Sequence, residues 1–177
     1  MWETICEKLL EAVVRESGTP VLTVQCTSAF CYDVWLALVQ DEHTGTWLLY
    51  HSTMGRRRLN RLEFCADMRA KRETGNAPDS GAYYRNLDYA LLLRSQRFAP
   101  EDLAQVRAAL EALGDCRFRS TVRGCDGMNV HFQSSLGPAV DCTFWAHPPA
   151  QYPQLAHVLR ILAGYLCRQD ANTLLGM

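Results

Sequence analysis

Two short runs with the same period constrain this chain most. In residues 128–133, Met128, Val130 and Phe132 alternate with Asn129, His131 and Gln133. In residues 140–144, Val140, Cys142 and Phe144 alternate with Asp141 and Thr143. A period of two marks a β-strand with one buried face. The intervening SSLGPA places Gly137 and Pro138 at a turn, so the runs form a β-hairpin with one face against a core. His131 and Asp141 fall on the other face.

A second hairpin is legible upstream, in CYDVWLALVQDEHTGTWLLYHSTM. Two apolar, aromatic-rich runs flank a polar turn at Asp41–Gly45. The apolar run is continuous from Val34 to Val39, which is expected of a strand covered on both faces. PVLTVQC, at 20–26, reads as a first strand, and YYRNLDYALLLRSQRF, ending at Phe98, as a later one with Tyr89, Leu91 and Leu93 on one face. Three helices accompany the strands. Trp2, Cys6, Leu9, Leu10 and Val13 recur at helical spacing, with Gly18 and Pro20 as stop signals. APEDLAQVRAALEALGD has Pro100 in its first turn, acidic Glu101 and Asp102 at the positive end of the dipole, and a stripe of Leu103, Val106, Leu110 and Leu113. YPQLAHVLRILAGYLC closes the pattern with Leu155, Val158, Leu159, Leu162 and Leu166 inward. Hairpins imply antiparallel pairing. The expectation is a single α+β domain over 1–177, an antiparallel sheet with N-terminal, central and C-terminal helices packed on it. Residues 55–81 fit either a further strand or a short helix, ending in a loop marked by Gly75, Asn76, Pro78, Asp79 and Gly81.

Composition narrows the class of function. Hydrophobic residues at 48% and charged residues at 21% describe a globular chain able to bury a core. The N-terminus lacks a basic segment followed by an apolar run, and no apolar run reaches membrane-spanning length, so a cytoplasmic protein is expected. In that compartment the eight cysteines are expected as reduced thiols. They form no C-x-x-C pair and no paired ligand set of the zinc type, and read as small apolar core residues. No metal and no cofactor is expected.

Catalytic signatures are absent by pattern. There is no G-x-S-x-G, no P-loop, no G-x-G-x-x-G and no H-E-x-x-H. Cys125, Asp126 and His131 lie close in sequence, but Cys125 belongs to the turn before a strand and His131 to its polar face. No catalytic residue is assigned, although a thiol-dependent hydrolase or transferase stays open as an alternative.

Charge is unevenly placed. Residues 1–54 carry two basic and seven acidic residues, a balance of −5, whereas residues 55–100 carry ten basic and five acidic, a balance of +5. Two partner-binding surfaces follow. One is the acidic hairpin tip, Asp41 and Glu42. The other, favoured because it holds more charge, is the basic segment Arg56, Arg57, Arg58 and Arg61 with Tyr83 and Tyr84 as aromatic anchors. A net charge of −1 disfavours nucleic acid as the partner.

Residues 87–166 place a strand, a helix, CDGMNVHF, a turn, CTFWAHPP and a closing helix in sequence. With Asp126 and Gly127 before a strand, and Phe144, Trp145 and Pro148 at the end of its partner, this pattern resembles small bacterial immunity proteins encoded beside polymorphic toxins, including those of type VI secretion systems. The resemblance implies a non-enzymatic function in interbacterial competition: binding a cognate toxin domain and blocking its active site. It carries over no functional residues. An effector chaperone or adaptor would need the same kind of surface.

Overall fold

Residues 2–28, 34–54, 91–120 and 128–176 are described, in a computed structural model; they hold four helices and seven strands. Helix α1 (Trp2–Glu16) leads into β1 (Leu22–Ser28), β2 (Val34–Gln40) and β3 (Trp47–Met54). Then come β4 (Leu91–Arg97), α2 (Pro100–Leu113) and β5 (Cys116–Arg119). The chain continues through β6 (Met128–Ser134), β7 (Val140–Trp145), α3 (Pro153–Ala163) and α4 (Arg168–Leu175). This is an α+β arrangement around one sheet, in the order β4-β3-β2-β1-β6-β7-β5.

Period two becomes burial as expected in β6 and β7. Met128, Val130, Phe132, Val140, Cys142 and Phe144 are all buried, and the residues between them are exposed or half-buried. The two strands pair antiparallel, Phe132 opposite Cys142 and His131 opposite Thr143. Leu22, Val24 and Cys26 of β1 and Val34, Leu36 and Leu38 of β2 join the same face. Helices α2, α3 and α4 cover it through Leu103, Val106, Leu110, Leu155, Val158, Leu159, Leu162 and Leu174.

The other face is treated differently along its width. Trp35, Ala37 and Val39 of β2 and Tyr50 of β3 pack there against Leu9 and Val13 of α1. Strand β2 is therefore covered on both sides, which explains its unbroken apolar run. A hydrogen bond of 2.6 Å between Ser17 Oγ and Tyr50 Oη ties the end of α1 to β3. Leu10, one of the residues at helical spacing, is instead 41% exposed, and Val14 beside it is 45% exposed, whereas Leu9 and Val13 are buried against the sheet.

Two elements depart from the sequence expectation. The segment after α2 forms β5, which pairs parallel with β7 while every other pair is antiparallel. Helix α2 carries the chain from β4 at one edge to β5 at the other, so a strand adjacent to β7 need not arrive by a hairpin. The closing helix also divides. α3 ends at Gly164, whose N–H bonds back to Arg160, Ile161 and Leu162 carbonyls, and α4 restarts after Cys167. Tyr165 lies in the break. Its hydroxyl donates to Asp102 Oδ2 at 2.5 Å and accepts from the Ala99 N–H at 2.9 Å, fixing the start of α2. The Gln96 side-chain amide donates to the Tyr165 carbonyl, adding β4 to the same junction.

A candidate partner-binding face

Because β1 pairs with β6, β6 with β7 and β7 with β5, the outward residues of four strands share one surface. One cross-strand row runs Gln25, His131, Thr143, Arg119. The next runs Thr23, Gln133, Asp141, Arg117. Thr27, Asn129 and Trp145 extend it at one end. No described helix covers this surface; α1 lies over the neighbouring strands on the same side of the sheet.

The surface is rich in hydrogen-bond donors. Gln25, Gln133 and Asn129 bring side-chain amides, Trp145 an indole N–H, and Arg117 and Arg119 guanidinium groups. His131 Nε2 lies 3.0 Å from Asp141 Oδ1, and the two side chains are 30% and 40% exposed. The His131 hydrogen bond, with smaller help from a Gln133 side-chain hydrogen bond and the charge of Arg119, holds the Asp141 carboxyl below its usual range. That carboxylate is thus already engaged, and water competes for a pair this exposed. Trp and Arg, both present on this face, are among the residue types most enriched at interface hot spots.

The acidic tip named from sequence has a structural use. Asp41 Oδ1 accepts from the backbone N–H of His43 at 2.8 Å and of Thr44 at 3.1 Å, closing the turn. These two backbone donors lower its pKa. The Glu42 N–H donates to the Ser17 carbonyl at 3.0 Å. Its side chain lies over Gly18, where a Cβ would meet the carboxyl oxygen at 2.5 Å. Gly18 also has a φ of +113°, a conformation that suits glycine. The tip is therefore a latch between the hairpin and α1. Arg56, Arg57, Arg58, Arg61, Tyr83 and Tyr84 lie outside the described residues, as do Cys125 and Asp126.

The surroundings of four cysteines are described. Cys26, Cys116 and Cys142 are buried on the helical side of the sheet, away from His131. The Cys142 thiol donates toward the Cys116 carbonyl at 3.6 Å and lies 3.7 Å from its sulfur. Burial first, and the Cys116 contact second, push Cys142 up to about 12, which removes its thiolate at neutral pH. Cys167 is exposed at the start of α4, and its thiol donates to Asp170 Oδ2 at 3.1 Å. His51 feels the charge of Asp170 in turn. That order, thiol to carboxylate to imidazole, differs from a nucleophile held against its base. Among the described residues, no three His, Cys, Asp or Glu side chains converge as a metal site. No described helix is long and apolar enough to cross a membrane.

A shallow groove of about 470 Å³ lies between α2 and α3, lined by Gln105, Ala108, Ala109, Pro153, Gln154 and His157. It offers fewer donors than the sheet face and no formal charge at neutral imidazole. Sequence reasoning placed His131 and Asp141 outward but missed the face they belong to. The signal was present in the polar half of each alternation; the adjacency of β1 and β6 was not. No protein-family model, curated protein or solved structure matches the chain.

Proposed function

We propose that this chain is an immunity protein, acting in the cytoplasm, that binds a cognate secreted toxin domain and blocks its active site. The observation that carries the reading is the donor-rich outer face of β1, β6, β7 and β5, over which no described helix lies. Such a surface recognises a partner by hydrogen bonds and charge, with an aromatic anchor, and needs no reacting group. The resemblance over residues 87–166 supports the same class of function. Co-expression provides the test. Cells producing the toxin domain encoded beside this gene should resume growth when this chain is present, and the two proteins should co-purify. Growth arrest that persists with the chain well expressed contradicts the reading.

A further inference from the structure

We infer that the outer sheet face seats an acidic protein segment, with its carboxylates on Arg117 and Arg119. This inference rests on the binding reading above and specifies the chemistry of the partner.

The two arginines alternate in β5 with Cys116 and Phe118, which are turned to the core side. Both residues are exposed on the same face, with Cα atoms roughly 7 Å apart along the strand. Neither has a carboxylate at ion-pair distance among the described residues, and Asp141, the nearest in register, is taken by His131. The four-strand face carries Arg117 and Arg119 against Asp141, a balance of +1 with His131 neutral. Two arginines at alternate positions match two carboxylates at alternate positions of an extended segment, each able to form a bidentate pair. Gln25 lies inward along one row, where it can hold the backbone or amide groups of the same segment, while Gln133 in the other row is bonded to Asp141.

The other border of the face has the opposite charge. Among the described side chains of α1, Glu7, Glu11 and Glu16 are exposed against one exposed basic residue, Arg15. A polyanion laid across the sheet would meet that acidic helix, and two arginines are few for phosphate binding. A protein partner with acidic residues over β5 satisfies both borders, and the charge gradient fixes its orientation.

The probe is a synthetic peptide of alternating threonine and glutamate, titrated into the full-length protein and followed by amide chemical shifts. Shifts should concentrate at Arg117, Arg119, Gln133, Thr143 and Trp145. Affinity should fall about tenfold or more in Arg117→Glu/Arg119→Glu and less in Arg117→Lys/Arg119→Lys, which keeps charge but loses the fork. Shifts centred elsewhere, or an oligothymidylate that shifts the same residues as strongly as the peptide, overturn the inference. The co-expression assay separates this from the broader reading. A charge-reversed protein that still rescues fully defeats the acidic seat alone; a wild type that never rescues defeats the immunity function alone.

Discussion

His51 shows how one side chain can make stability depend on pH. Its Nδ1 is buried without a hydrogen-bond partner, and burial is the main cause of its lowered pKa. Asp170 opposes that shift and Arg94 reinforces it. A histidine whose folded pKa lies below its unfolded value of 6.5 binds its proton more readily when unfolded. Its contribution is therefore complete above 6.5 and is lost as the pH falls through the folded value. Urea denaturation of wild type and His51→Gln should show a stability difference that shifts against wild type as the pH drops below 6.5. A difference that stays constant between pH 8 and pH 5 contradicts this placement of the imidazole. The neighbouring Ser52 hydroxyl is also buried and unpaired, so this part of β3 has two polar groups whose burial is uncompensated.

At the scale of elements, the Tyr165 junction ties the corner between β4 and α2 to the end of α3, 66 to 69 residues away in sequence. Burial and the Asp102 bond raise the Tyr165 pKa, so the phenol keeps its proton and can donate. Tyr165→Phe should lower stability by about 1–2 kcal/mol in urea denaturation. Amide exchange should rise first at Ala99, whose N–H loses its acceptor. The hairpins, α1 and α2 were legible because alternation, helical spacing and turn residues are local. The parallel strand β5 was not, since CRFR is too short to declare a partner and its position depends on where α2 deposits the chain. The break at Gly164 was hidden for a different reason: Leu166 continues the apolar spacing, and only tertiary contacts of Tyr165 reveal the interruption. The outer face was half legible, in polar residues read correctly as outward but not as neighbours.

For the whole molecule, the sheet partitions its chemistry by side. The helical side holds the larger core and the thiols of Cys26, Cys116 and Cys142; the outer side holds His131, the two arginines and α1. Brief iodoacetamide treatment of the native protein, read by mass spectrometry, should label Cys167 and spare those three. Modification of Cys142 as fast as Cys167 would contradict its burial. The partition also bears on the binding reading: substitutions on the outer strands should alter affinity with little effect on the core, whereas replacing Phe132 by Ala should cost about 3–5 kcal/mol.

The pairing of β1 with β6 has a consequence during synthesis. Strands β1, β2 and β3 leave the ribosome early and can form their local ladder, with β2 already between its two neighbours. The other edge of β1 waits for β6, about a hundred residues later in the chain. At elongation rates of about 5–20 residues per second that interval is about 5–20 s. For that time the nascent chain presents an unpaired edge beside an uncovered apolar face, and nascent-chain chaperones or premature pairing between neighbouring chains on a polysome would compete for it.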